Sequence, residues 1–187
     1  MKKKLPNLTF LLLCLAMIAV FSVNTVFAAT AAEIDKQVKQ ALEELYNVSP
    51  AAQKLAKDAK GILVFPKVYK AGFLAGGQYG EGALVVNGKT MGYYKTIAAS
   101  FGLQAGAQSF GYALFFMTDK ALSYLASSKG WEIGVGPSIV VVNKGIAKSL
   151  TTTTAKADIY AFFFSQKGLM AGMGLQGTKI TPFTPGK

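Results

Sequence analysis

Between residues 61 and 117 the chain is strongly apolar, yet glycine punctuates the run: GILVFPKVYKAGFLAGGQYGEG, a short turn, then FGLQAGAQSFGYALFFM. Glycine in a helix interior costs about 1 kcal/mol relative to alanine, so this density excludes a helix and with it a helical membrane span. The texture suits strands whose missing side chains let another strand or a ligand approach the backbone closely. It returns at residues 131–142 and 159–180. The glycine-rich surface is therefore the first candidate for function.

Two helices are expected ahead of it. Thr30-Ala-Ala-Glu33 fits a capping box, and Ile34, Val38, Ala41, Leu42 and Leu45 make one apolar stripe. Ser49-Pro50 supplies an N-cap and a first-turn proline for a second helix, expected to run to about Lys60 and stop at Gly61. Lys54, Lys57 and Lys60 repeat along one flank of it. Strands follow: 62–65, closed by Pro66; 73–78 and 82–86; then Asn87-Gly88, the strongest short hairpin signal; then 93–107 and 109–117. Thr118-Asp119 opens one further helix at 120–128. Strands at 132–142, 158–165 and 169–180 complete the chain, with a turn at 166–168 and the threonines 151–154 in a solvated connection or edge. Short turns between consecutive strands imply an antiparallel sheet and an α+β class. Segments 159–164 and 139–142 are apolar at successive positions, which implies cover on both faces. A strongly curved sheet or small barrel, with helices against its outside, satisfies that demand.

The charge is one-sided, with 20 lysines, no arginine, no histidine and nine acids, a formal +11. Lys2, Lys3 and Lys4, the apolar run 8–23 and Val26-Phe27-Ala28 have the tripartite form of a secretory signal cleaved after Ala28. Its alternative is an anchor helix, the apolar run approaching the ~20 residues a span requires. Cys14, the only cysteine, follows a leucine with little apolar sequence before it, which disfavours lipidation. A basic exported chain favours anionic surfaces: phospholipid headgroups, lipopolysaccharide phosphates, acidic glycans or nucleic acid.

Catalysis has little material. Without histidine there is no Ser-His-Asp triad and no His-ligated metal; without a mature cysteine there is no thiolate. Glu81, Asp119, Glu132 and Asp158 are read as partners of lysines rather than as a hydrolytic pair, and no cofactor is implied. Gly76-Gly77-Gln-Tyr-Gly80-Glu-Gly82 does not fit a nucleotide loop. Lysines are the better lead: Lys54, Lys57, Lys60, Lys67 and Lys70 crowd the entry to the sheet, interleaved with Phe65, Val68, Tyr69 and Phe73. Each lysine near anionic lipid gains about 1 kcal/mol. Nucleic acid is disfavoured, since no arginine is available for bidentate base contacts and the compartment is wrong.

The segments GILVFPKVYKAGFLAGGQYGEGALV, YYKTIAASFGLQAGAQSFGYALFFMT, GWEIGVGPSIVVV, AKSLTTTT and ADIYAFFFSQKGLMAGMGLQGTKI resemble, in this order, the SYLF domain family over residues 50–180. The resemblance is to its bacterial exported branch. It implies one domain over 29–187, with a helical lead-in to residue 60 and a sheet-rich core, and a non-enzymatic lipid-binding role. In the family, membrane binding is attributed to the amphipathic helix at the domain's start and nearby basic residues, here Lys54, Lys57, Lys60, Lys67 and Lys70. Eukaryotic members are associated with phosphoinositide-rich membranes and actin, which an exported chain would not meet. The expectation is a periplasmic protein peripheral to an anionic phospholipid membrane. Two alternatives are a carrier with an acyl ligand in a glycine- and aromatic-lined cavity, and an envelope protein-interaction module. On this reading Gly61 to Met117 is chiefly the framework of a coiled sheet, and the lipid contact sits at its lysine-rich edge.

Overall fold

The computed structural model describes residues 29–73, 75–101, 106–143, 146–147, 156–168, 175 and 177–186. The signal-type segment 1–28 and the threonines 151–154 lie outside the described residues, as does most of the strand expected at 169–180.

Helix α1 (Ala31–Val48) starts at the expected capping box: Thr30 Oγ1 accepts from the Glu33 N–H, and Glu33 Oε2 accepts from the Thr30 N–H at 2.8 Å. Its buried stripe is Ile34, Val38, Ala41 and Leu45. Ser49 caps α2 (Pro50–Ala56), which buries Ala51, Ala52 and Leu55. This helix stops four residues short of the expected end. The N–H groups of Lys57 and Asp58 tighten to bonds three residues back, and the Lys60 N–H is taken by the Phe116 carbonyl at 2.8 Å. The chain joins the sheet before a further turn can close.

The strands are β1 (Gly61–Phe73), β2 (Ala75–Val86), β3 (Lys89–Phe101), β4 (Gly106–Phe116), β5 (Trp131–Glu132), β6 (Ile139–Val142), β7 (Ile159–Gly168) and β8 (Lys179–Phe183), with α3 (Asp119–Ser127) between β4 and β5. They form one sheet in the order β5-β8-β3-β2-β1-β4-β7-β6, antiparallel except for β6 beside β7. The α+β class and the curved sheet are as expected. Several details differ from the sequence reading, among them the turn expected at 166–168, which is instead the paired end of β7. Pro66 does not close the first strand. The register jumps between Val64 and Lys67 against β2, and between Phe65 and Val68 against β4, so the proline falls in a bulge where its missing N–H breaks no ladder bond. β2 likewise runs unbroken across residues expected to form two strands. Segment 132–142 is broken, because Gly134 and Gly136 take positive φ (109° and 93°) and turn the chain. Finally, β6 is an edge strand in which Val140 and Val142 pack on the helix side while Val141 on the other face is exposed, so the two-sided cover expected for 139–142 is incomplete.

Curling follows from contacts that a flat sheet cannot make. Phe116 on β4 and Trp131 on β5 stand five strand positions apart, about 24 Å at ordinary strand spacing, yet their ring centroids are 6.1 Å apart. The Tyr112 hydroxyl donates to Thr96 Oγ1 at 2.7 Å across three strand positions. The sheet is a half-barrel, with Leu63, Phe65, Val68, Phe110, Tyr112, Leu114, Phe116, Trp131 and Ile180 packed inside it against Ala121 and Leu125 of α3. Outside, Ile62, Val64, Ala83, Ala113, Phe115, Tyr160, Phe162 and Phe164 pack beneath α1 and α2. Strand β7 is thus buried on both faces, as its unbroken apolar run requires. Asp35 of α1 accepts from Thr90 and Tyr93 on β3, and Glu44 accepts from Ser165 on β7. The helix therefore lies across the sheet near one end.

Candidate membrane-binding surface

Strands β1 to β4 outrun the helices. Beyond the Pro66 bulge the alternation of β1 is reset: Val68 stays inside, and Lys67 and Tyr69 emerge on the outer face. Antiparallel partners share a face, so two rows can be read across the sheet there. One row is Lys67 of β1, Glu81 of β2 and Lys95 of β3. The other is Ser109 of β4, Tyr69, Tyr79 and Ile97, ended by Lys167 of β7 and Lys179 of β8. Tyr69, Tyr79 and Ile97 are 57%, 45% and 43% exposed, high values for large apolar side chains in adjacent register.

The polar groups in these rows are organised. Lys67 Nζ lies 4.9 Å from the Tyr69 ring centroid, a cation–π contact. The Tyr79 hydroxyl donates to Glu81 Oε1 at 2.6 Å. Its phenol is pushed up to about 12, first by desolvation and then by the hydrogen bond and charge of Glu81. Where these rows meet α1, a groove of about 830 Å³ opens between Ile34, Gln37 and Ala41 on the helix and Pro66, Tyr69 and Tyr79 on the sheet.

The five lysines singled out by the sequence do not form one patch. Lys54 projects from α2, Lys57 caps its end, and Lys60 lies in the link to β1, 4.0 Å from Asp119 Oδ2. These three gather where β1 begins. Lys67 is about 20 Å farther along the strand at ~3.3 Å per residue. Lys70 is on the opposite face from Lys67, because three residues of strand reverse the side chain. Of the interleaved aromatics, Phe65 is buried inside the half-barrel and Tyr69 stands beside Lys67. Sequence reasoning missed Tyr79, Ile97 and Lys95, whose signal was their alternation on strands ending in the Asn87-Gly88 hairpin.

Several glycines act as packing devices. A Cβ on Gly82 would land on the Val64 carbonyl, one on Gly80 would meet Val68, and one on Gly111 would enter the Phe164 ring. The rows inward of them are filled by side chains with no exposure, among them Phe65, Val68, Tyr112 and Leu114. The acidic candidates are engaged structurally. Asp119 faces Lys60. Asp158 accepts from the Ser138 N–H and hydroxyl and from Thr118, and the Ser138 bonds hold its carboxyl below the usual range.

Among the comparisons with known proteins, no curated protein matches the chain. A family model does, over residues 97–184: Ysc84, described as Las17-binding protein actin regulator. The match takes in the outer end of β3, β4, α3 and all the strands that follow, the part of the sheet that curls round to enclose Trp131. Residues 97–184 thus match the SYLF domain family that the sequence resembles, a family of binding domains.

Proposed function

We propose that this protein binds anionic phospholipid membranes peripherally and without catalysis, through the outer face of β1 to β3 beyond the bulge. The observation that carries the reading is the in-register pair of rows, Lys67 and Lys95 beside Tyr69, Tyr79 and Ile97. Tyrosine rings are suited to the headgroup level of a bilayer, and lysines beside them gain about 1 kcal/mol each from an anionic surface. Among the described residues one ion pair forms, Lys60 with Asp119, so the lysine excess is available to an outside partner. The signal-type segment supports an envelope location, where lipid is at hand and actin is not.

Sedimentation with vesicles tests this. Binding is expected to phosphatidylcholine vesicles containing phosphatidylglycerol, to weaken as salt screens the charges, and to be absent with phosphatidylcholine alone. Lys67→Ala with Lys95→Ala should weaken it about 30-fold, the equivalent of ~1 kcal/mol per lysine. Equal, salt-insensitive recovery on both vesicles would sink the reading. A larger loss from Lys54→Ala, Lys57→Ala and Lys60→Ala together would move the contact to the other end of the sheet.

A further inference from the structure

On the inner face the same stretch of strands carries a polar row. Lys70 of β1 is opposite Gln78 of β2 and Gln108 of β4, so the three side chains share one face of adjacent strands. Gln108 is 4% exposed, and neither its amide nitrogen nor its amide oxygen has a hydrogen-bond partner. Buried side-chain amides are nearly always paired, so one that is wholly unpaired marks a place where something else completes it. Gln78, 6% exposed, donates to Thr178 Oγ1 at 3.3 Å. Lys70, half-buried between the two glutamines, makes no ion pair among the described residues, and its nearest acid along the strands, Glu81, belongs to the outer row.

The row is closed by apolar side chains on one side and bordered by glycines on the other. Inward, Val68, Phe110 and Ile180 are buried and close the half-barrel. Outward, the next row is Gly72 facing Gly76 and Gly106, and the β7 neighbour of Gln108 is Gly168 at φ 108°. Among the described residues, that row places only glycines of β1, β2, β4 and β7 between the amides and the mouth of the half-barrel.

We propose that Lys70, Gln78 and Gln108 form a binding site at this mouth for a phosphate ester that carries a free hydroxyl. The ammonium of Lys70 and the Gln108 N–H donors meet phosphate oxygens, and Gln108 Oε1 accepts from the hydroxyl. A bare anion would leave that acceptor unpaired, and a neutral polyol would leave Lys70 without a counter-charge. The filled core inward of the row admits the polar group and no acyl chain. The group is either a soluble ester or the headgroup of a lipid such as phosphatidylglycerol. The site is on the opposite face from Lys67 and Tyr69, so it stands or falls apart from the membrane-docking surface.

Titration calorimetry with sn-glycerol 3-phosphate tests the site. Wild type should bind saturably and more tightly than it binds inorganic phosphate or glycerol, and the ligand should raise its melting temperature, since it binds only the folded state. Gln108→Leu and Lys70→Met should each weaken binding about tenfold or more and abolish the thermal shift, while Lys67→Met leaves both unchanged. Gln108→Leu replaces an unpaired amide by an apolar group, so it should fold and melt no lower than wild type; Gln108→Glu, which sets a carboxylate against the phosphate, is the second variant. No saturable binding by wild type, or full retention by either Gln108→Leu or Lys70→Met, would overturn the proposal. Phosphatidylglycerol vesicles separate the two sources: a loss of vesicle binding in Gln108→Leu assigns the group to lipid, and unchanged vesicle binding assigns it to a soluble ester.

Discussion

Strands β1 to β4 are each built in two halves that share one hydrogen-bonded ladder and differ in almost everything else. On the side of Gly61 and Phe116, both faces are covered, by α1 and α2 outside and by α3 with Trp131 inside, and large side chains such as Leu63, Val64, Phe115 and Phe116 have no exposure. Past Pro66 the outer face is bare, and the inner face turns from Val68 and Phe110 to Lys70, Gln78 and Gln108. Full burial of one large apolar side chain contributes about 1.5–3 kcal/mol, so stability is concentrated in the first half. The second half is held mainly by its ladder and by the first. That division leaves it free to carry charge, exposed tyrosines and an unpaired amide, features a core could not tolerate.

The sharpest test of the division is a pair of truncations. Phe115→Ala removes a ring that packs edge-on against Phe162 at 5.0 Å beneath the helices, and should cost about 3–5 kcal/mol. Tyr69→Ala, in the other half, should change stability by no more than about 0.5 kcal/mol while weakening vesicle binding. Urea denaturation of both variants measures this. A loss of 2 kcal/mol or more at Tyr69 would mean, on the order of core effects, that the outer rows are part of the core and the contrast is misplaced.

Which features could be read from residues alone follows the same division. The capping box, the Ser49-Pro50 start of α2, the Asn87-Gly88 turn (φ 50° and 75°) and the two-sided burial of β7 are local, and each is present. The passage of β1 through Pro66 was not legible. A proline in a central strand argues against a strand unless a bulge absorbs it, and the bulge exists only because β2 and β4 pair on either side. That missed continuity also hid the site. Lys67, Lys70 and Tyr69 could be named from sequence, but their assignment to faces depends on the one-residue reset at the bulge. Once the strand is continuous, Tyr79 falls opposite Tyr69 and Ile97 opposite Tyr79 by register alone. The early end of α2 likewise depends on Phe116, a residue far away in sequence.

The boundary between the halves is marked by Tyr112 and Thr96, both without exposure and joined by a 2.7 Å hydrogen bond. Tyr112→Phe strands the Thr96 hydroxyl and should cost about 1–3 kcal/mol. Adding Thr96→Val should recover part of that loss, because an apolar pair needs no partner. A double-mutant cycle by thermal or urea unfolding reads the coupling. Additive losses would show that the bond does not link the halves.

The smallest effect belongs to the exposed half and appears only in base. Tyr79 has its phenol raised to about 12 by desolvation and by the hydrogen bond to Glu81. An unfolded tyrosine titrates near 10, so between about pH 10 and 12 the folded chain holds a proton that the unfolded chain has lost. Stability from this interaction is therefore full below about pH 10 and is lost as pH rises through about 12. Tyr46, Tyr93, Tyr94 and Tyr112 are raised as well, each first by burial. What counts is the difference between wild type and Tyr79→Phe, not the slope of either. The variant should lose one late-titrating phenolate in an absorbance titration and show a slightly shallower fall in stability over that interval. Identical curves would mean that Tyr79 and Glu81 are not paired in solution, and that the outer rows are less ordered than their register implies.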